Sequence, residues 1–188
     1  MTNEEFQSLH ADVARLRKKR VQSAFGLIPA SVNYLESKLS GALSEADRGD
    51  VYALLVNECS KARNDRLYVE VLRRRARDLS NDPISHAGLA FRLALIDPTS
   101  REETLEIAEK ALLMAKSQNR QIRYCATNMA RIGLMLDEYG VVERALKELV
   151  GDAGSQRAED TGYEFDFVDQ LDIRRVDTKL LAAYRALA

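Results

Sequence analysis

Three observations in the sequence predict an all-α fold built from stacked helical hairpins. Apolar residues recur at intervals of three and four through most of the chain, which is the spacing of one helix face. The first helices of successive hairpins are expected to start near residues 50, 85 and 122, so a pattern of about 34 to 37 residues repeats. Only three prolines and nine glycines interrupt 188 residues. We therefore expect one domain over residues 1–188, with about eight or nine helices and few or no strands.

The N-terminal part, residues 1–43, is predicted to form two helices. Thr2 and Glu5 have the spacing of a capping box, and a helix from about Asn3 to Ala24 follows them. A shorter helix begins after Pro29, and Gly41 weakens its end. We interpret these two helices as an N-terminal cap or a degenerate hairpin.

Residues 44–152 are predicted to form three helical hairpins. The first runs from Ser44 to about residue 80, with a turn at residues 64–65. The second begins at Ser85, turns at residues 97–100 and ends near Lys116. The third covers Arg123–Asp152 and has two apolar stripes on either side of Gly140. Such hairpins cannot stay folded alone, because each must stack its apolar face on a neighbour.

The chain changes character after residue 152. Residues 153–172 are predicted to form an acidic, aromatic loop, since residues 159–172 contain six acidic residues and no basic one. Tyr163, Phe165 and Phe167 in this loop are candidate contacts for a partner. Opposite charge also leads us to expect that residues 159–172 lie across the basic region of residues 73–77. Residues 173–188 are predicted to form a helix that caps the stack.

The charge balance gives no overall attraction to nucleic acid, because 28 basic residues face 29 acidic ones. Two local clusters are basic, and each spreads around its helix without interleaved aromatic residues. We interpret both as solvated helix surface rather than as a nucleic-acid site. The clusters consist of Arg15, Arg17, Lys18, Lys19 and Arg20, and of Arg73, Arg74, Arg75 and Arg77.

The sequence contains no recognisable catalytic or metal-binding motif. His10 and His86 lack the spacing of metal ligands, and no glycine-rich phosphate loop or nucleophile elbow is present. We expect no enzyme activity, no cofactor and no metal. Cys59 and Cys125 are expected to be buried and reduced. No run approaches the roughly 20 apolar residues of a membrane span, and no secretory signal is seen, so we expect a cytoplasmic protein with no membrane contact.

The third hairpin resembles a tetratricopeptide repeat. Ile132 and Gly133 stand where that family has a Leu-Gly pair, and Leu136 stands at its aromatic position. The second hairpin resembles the repeat less closely, with Leu89 and Ala90 at the Leu-Gly pair. The resemblance covers about half the chain and implies a right-handed solenoid. Further matching positions are Ala145 and Leu149 in the third hairpin and Leu93, Ala108, Leu112 and Ala115 in the second.

The resemblance also implies a partner-binding groove, because the first helix of every hairpin lines the concave face in that family. The lysine and asparagine clamp that some members use for a terminal carboxylate is not present at these positions. The side chains assigned to the groove are mostly small or apolar: Ala53, Asn57, Ala87, Phe91, Ala130 and Leu134.

We therefore expect a non-enzymatic scaffold or adaptor that binds a helix or segment of another protein through a partly apolar groove. A chaperone, a toxin-neutralising partner and an assembly adaptor all fit this expectation. Whether the terminal helix fills the groove stays open. Two alternatives also stay open: an enzyme whose site is dispersed between helices, and a nucleic-acid binder that uses the basic clusters.

Overall fold

A computed structural model describes residues 1–151 and 172–186, and over these residues the predicted all-α class is confirmed. The described part contains nine α-helices and one two-stranded sheet. The residues group into two compact units, Met1–Ser80 and Asn81–Ala188, and each unit has its own apolar core. The single domain and the handedness of the stack stay predictions.

The first unit consists of four helices and a β-hairpin. Its elements are α1 (Asn3–Leu16), β1 (Arg20–Ser23), β2 (Gly26–Pro29), α2 (Ala30–Leu39), α3 (Glu45–Ala62) and α4 (Asp65–Asp78). The predicted capping box of Thr2 and Glu5 is present at the start of α1. Side chains of Ser44 and Asn64 cap α3 and α4 in the same way, by accepting hydrogen bonds from backbone amides of the first turn.

The predicted helix from Asn3 to Ala24 is wrong at its C-terminal end, because α1 stops at Leu16. The antiparallel pair β1 and β2 follows, with Val21 opposite Ile28. Gly26 adopts a φ of 90°, which a residue with a side chain rarely adopts, and this favours a turn rather than a continued helix. Burial of Ile28, with Val21 packed against the same core, stabilises the hairpin.

The second unit contains two helical hairpins that pack against each other. Its helices are α5 (Pro83–Ile96), α6 (Arg101–Gln118), α7 (Ile122–Met135), α8 (Tyr139–Gly151) and α9 (Thr178–Arg185), with 3₁₀ turns at Pro98–Ser100 and Ile173–Arg175. The helix α5 packs against α6, and α7 packs against α8. Because α7 also contacts both α5 and α6, the second hairpin stacks directly on the first.

The tight α7–α8 corner depends on Gly133. A Cβ atom at this position would lie 2.9 Å from Cγ2 of Val142 and 3.0 Å from the carbonyl oxygen of Glu138. The amide of Glu138 donates a 2.7 Å hydrogen bond to the carbonyl of Gly133, and Asp137 adopts a φ of 58°. The absence of a side chain at Gly133 therefore permits the close approach of the two helices.

The C-terminal helix α9 packs against α8 and continues the core of the second unit. Its Leu181 and Tyr184 are buried there. Before α9, the guanidinium of Arg175 lies 3.8 Å from the ring centroid of Tyr139, and the amide of Asp172 donates a 3.3 Å hydrogen bond to the Tyr139 hydroxyl. The start predicted at residue 173 is five residues early, because Ile173–Arg175 forms a 3₁₀ turn.

Candidate partner-binding surface

The six side chains assigned to the groove fall into different environments. Ala53 and Asn57 are exposed on α3 in the first unit, and the other four lie in the second. Ala87 and Ala130 are buried in its core, so they offer no surface to a partner. The two remaining residues, Phe91 and Leu134, are half-buried and pack against the same core.

The physical reason is the number of neighbours around α7. This helix packs against α5, α6 and α8, so the face that carries Ala130 is enclosed. Its outer surface instead carries Tyr124, Arg131 and Met135, which are separated by seven and four residues and so share one helix face. The solvent-accessible part of α7 is therefore a stripe that lies beside the face predicted to line the groove.

The adjacent helix α5 exposes an equivalent stripe at its C-terminal end. Leu95 is 48% exposed there, and Tyr124 and Met135 on α7 are 41% and 38% exposed. We take these exposed apolar side chains on two packed helices as a candidate surface for another molecule. We define the α5/α7 surface by its partly or fully exposed members: Phe91, Arg92, Leu95, Tyr124, Arg131, Leu134 and Met135.

A short repeat places the central residues of this surface. The segments Arg92–Leu95 and Arg131–Leu134 read RLAL and RIGL, and each lies at the same position of a 14-residue helix. In both segments the two inner residues are buried, and the arginine and the leucine keep part of their surface in solvent. The fold thus presents the same arginine and leucine pair on two neighbouring helices.

This repeat changes the alignment of the two hairpins. Relative to the helix ends, Leu93 and Ala94 occupy the place of Ile132 and Gly133, whereas the resemblance placed Leu89 and Ala90 there. The difference is about one helical turn. The two tetrapeptides themselves were the sequence signal that could have located the surface.

The α5/α7 surface is also distinguished by charge. Neither α5 nor α7 contains an aspartate or a glutamate, and together they carry Arg92, Arg123 and Arg131, all half-buried. The second helices of the hairpins carry six glutamates, which are Glu102, Glu103, Glu106, Glu109, Glu143 and Glu148. Within the four helices of the two hairpins, the glutamates therefore lie on α6 and α8, and α5 and α7 carry arginines and apolar residues.

The basic clusters of the first unit are partly engaged in ion pairs within that unit. Arg15 pairs with Asp12 at 2.9 Å, and Arg74 pairs with Glu36 at 2.5 Å. Arg17 reaches the buried carboxylate of Glu58 at 2.6 Å. These contacts favour the interpretation of the clusters as helix surface rather than as a nucleic-acid site.

Glu58 is a buried charged residue that the sequence analysis did not single out. It is only 1% exposed, and its carboxylate accepts hydrogen bonds from Nε and Nη2 of Arg17 and from the buried hydroxyl of Ser31 at 2.9 Å. Burial by itself raises the pKa of Glu58, but these hydrogen bonds and the charges of Arg17 and Lys61 outweigh it and hold the pKa below its usual value. The group therefore stays ionised and connects the end of α1, the start of α2 and α3.

The sequence contains one signal for the burial of Glu58, which is its place on an apolar stripe of α3. Glu58 follows Val51 and Leu55 at intervals of seven and three, so its position on α3 faces the core. Because Arg17 and Ser31 satisfy its oxygens, the arrangement is suited to joining elements rather than to proton transfer.

The prediction of free, buried cysteines is confirmed for Cys59 and Cys125. Burial raises the pKa of each thiol to about 12, which makes both thiols poor nucleophiles. In residues 1–151 and 172–186 no three His, Cys, Asp or Glu side chains are grouped so that they could hold a metal ion. None of the helices in this described part is long and apolar enough to cross a membrane. Tyr163, Phe165, Phe167 and the expected contact of residues 159–172 with residues 73–77 lie outside the described residues.

Comparison of the chain with models of protein families, with curated proteins and with solved structures finds no match. The resemblance to tetratricopeptide repeats therefore stays a prediction that rests on the residues quoted for it.

Proposed function

We propose that the chain is a non-enzymatic scaffold that binds a helix or segment of a partner protein on the α5/α7 surface. One observation carries the proposal: the repeated arginine and leucine tetrapeptides place Leu95 and Leu134, which keep part of their surface in solvent, on two first helices that pack side by side. An amphipathic segment that lies against two neighbouring helices buries such side chains and gains the free energy of their removal from water.

The proposed role is that of an adaptor or chaperone-like protein. The large exposed apolar residues Leu95 and Met135 supply the contact area, and Tyr124 adds an aromatic side chain of the type that dominates binding energy at interfaces. Two buried, free cysteines support the proposal that the protein works in a reducing compartment such as the cytoplasm. An apolar contact surface, in a described part of the chain where no three His, Cys, Asp or Glu side chains are grouped to hold a metal ion, supports a binding function over metal-dependent catalysis.

Capture of partners by the full-length chain tests this proposal. The tagged chain is immobilised, partners from the source cells are bound, and the captured proteins are quantified by mass spectrometry. Leu95→Glu and Met135→Glu place a charge on the α5/α7 surface. Leu113→Glu is the matched control, because Leu113 is 67% exposed on α6 and lies outside that surface.

We expect Leu95→Glu and Met135→Glu to remove the same captured proteins, and Leu113→Glu to retain them. Each charged side chain would have to be desolvated in the complex, so a loss of at least about tenfold in captured amount is expected. The proposal is refuted if all three variants capture the same proteins in equal amounts. Far-UV circular dichroism of each variant shows whether the fold is kept.

A further inference from the structure

The β-hairpin of the first unit has an outer strand, β1, with one open edge. The strand β2 contacts α2 and α3 as well as β1, so β2 lies on the side of the helices. The amide of Ala30 donates a 2.9 Å hydrogen bond to the carbonyl of Lys19. This bond flanks the Arg20–Pro29 pair, so Arg20 exchanges no hydrogen bonds with its partner, and neither does Gln22 two residues on.

The backbone groups of Arg20 and Gln22 therefore point away from β2. Outside the hairpin, neither residue forms a backbone hydrogen bond with any other described residue. Two N–H and two C=O groups thus alternate along this edge, which is the arrangement that an additional strand can pair with. We define the β1 edge by its exposed or half-buried members: Arg20, Val21, Gln22 and Ser23.

The two faces of the hairpin differ in polarity at this edge. Arg20 and Gln22 are exposed on one face, which Leu27 shares as the cross-strand partner of Gln22. Val21 lies on the other face, is half-buried and packs against the apolar core of the first unit. A strand beside β1 would therefore place polar side chains next to Arg20 and apolar side chains next to Val21, in strict alternation.

Exposed cations surround the β1 edge. Lys18, Lys19 and Arg20 are exposed and form no ion pair within the described part of the chain. The guanidinium of Arg66, at the start of α4, lies 5.8 Å from the ring centroid of Phe25 in the hairpin turn. Cations on an edge disfavour its pairing with a like-charged edge, so the charge opposes a second copy of β1 and favours an acidic strand.

We propose that the β1 edge binds an extended, acidic segment of a partner protein, which joins the hairpin as a third strand. The segment exchanges backbone hydrogen bonds with Arg20 and Gln22. Its carboxylates lie beside the cations of Lys18 and Arg20, and its apolar side chains cover Val21. This site is separate from the α5/α7 surface, so the failure of either proposal leaves the other intact.

The backbone chemistry of the edge favours a protein segment over a nucleic acid. The phosphate groups of a nucleic acid accept hydrogen bonds and satisfy the cations, but they cannot donate to the carbonyls of Arg20 and Gln22. A peptide strand supplies N–H and C=O groups in the same alternation as β1 and so matches both kinds of group.

Amide hydrogen exchange followed by NMR on the full-length chain tests the pairing directly. The probe is a peptide of about eight residues in which Glu alternates with Val, because alternation places the two types on opposite faces of a strand. With saturating peptide, the amides of Arg20 and Gln22 should exchange at least about tenfold more slowly than in the free chain. The amide of Leu27, on the other strand, is the internal control and should change by less than about twofold.

Fluorescence anisotropy with the same labelled peptide measures its affinity for four variants. Gln22→Pro removes an N–H that β2 does not use, whereas Gln22→Ala removes only the side chain beyond Cβ. Lys18→Gln with Arg20→Gln removes two cations from the edge. Lys110→Gln with Lys147→Gln is the charge-matched control, since both lysines are exposed, on α6 and α8.

We expect Gln22→Pro to lose about tenfold in affinity and Gln22→Ala to stay within about twofold of the parent chain. The variant with Lys18→Gln and Arg20→Gln should lose about fivefold and show a weaker dependence on salt between about 0.05 and 0.3 M. The charge-matched control should stay within about twofold. If Gln22→Pro does not fold, hydrogen exchange in the parent chain and the charge variants still decide.

Four outcomes overturn the proposal. The peptide does not bind at concentrations up to about 1 mM, or it binds without slowing exchange at Arg20 and Gln22. A single-stranded oligonucleotide of equal charge slows the same two amides as much as the peptide does. Exchange at these amides slows with rising protein concentration in the absence of peptide, which would identify a second copy of the chain as the occupant.

Discussion

Replacement of Arg17 by methionine removes the main partner of a buried carboxylate and keeps most of the length of the side chain. Arg17 Nε donates to both oxygens of Glu58 at 2.9 Å, and Nη2 donates to Oε1 at 2.6 Å. In Arg17→Met only the Ser31 hydroxyl at 2.9 Å and the Lys61 ammonium at 3.5 Å remain near the carboxylate. The variant therefore leaves a charge in the core with too few hydrogen bonds.

The size of the effect follows from the burial of the two partners. Loss of one member of a fully buried ion pair costs about 3 to 5 kcal/mol. Glu58 is 1% exposed, but the Arg17 side chain is 42% exposed, so water can reach the vacated position and reduce the cost. We expect Arg17→Met to lower the free energy of unfolding by about 2 to 3 kcal/mol. The matched control Arg15→Met breaks the exposed pair with Asp12 and should cost less than about 1 kcal/mol.

Acidification gives an independent check on this contribution. The pKa of Glu58 is lowered in the folded chain, so its stabilising effect is present above the unfolded pKa of about 4.3 and is lost as pH falls through the folded value. The gap in stability between the parent chain and Arg17→Met should therefore shrink as pH falls from about 7 towards 4 and below.

Urea unfolding followed by far-UV circular dichroism measures these free energies at each pH. The reasoning is refuted if Arg17→Met is no more destabilising than Arg15→Met. It is also refuted if the gap between the parent chain and Arg17→Met is the same at both ends of the pH range.

Three further predictions concern the two cores. Gly133→Ala should destabilise the second unit by about 1 to 3 kcal/mol, because the added Cβ would lie 2.9 Å from a methyl carbon of Val142. Urea unfolding measures this loss, and Gly140→Ala is the control because a Cβ there would meet no atom within 4 Å. Cys59 and Cys125 should react with a thiol reagent only after unfolding, since both are buried with a pKa near 12; rapid labelling of either native thiol would contradict the structure. Tyr184→Ala should lower the free energy of unfolding by about 3 to 5 kcal/mol and speed amide hydrogen exchange in α9. Unchanged exchange in α9 would refute the packing of this helix on α8.

The helices and their turns could be predicted from the sequence because their signals are local. The capping side chain of Thr2, the turn at residues 64–65 and the end of the first hairpin near residue 80 mark helix ends that the structure keeps within a few residues. The hairpin of β1 and β2 was missed because the apolar period of α1 leads into it without a break, and only the φ of Gly26 and the burial of Ile28 decide against a longer helix.

The candidate surface could be predicted only in part, because burial depends on which helices become neighbours. Phe91 and Leu134 keep part of their surface exposed, as a groove position requires, whereas Ala87 and Ala130 are enclosed by packing that spans more than one hairpin. The apolar stripe of α3 indicates that Glu58 is buried, but its partner Arg17 lies 41 residues away in sequence, so no local pattern identifies the ion pair.

Photo-crosslinking from the α5/α7 surface tests the central claim most directly. A benzoylphenylalanine is placed at the position of Leu95 in the full-length chain, and at the position of Leu113 as the control with at least equal exposure. Irradiation in the source cells should then yield discrete adducts with a partner protein from position 95 and not from position 113. Identical adducts from both positions, or adducts from position 113 alone, would contradict the assignment of this surface as the binding site.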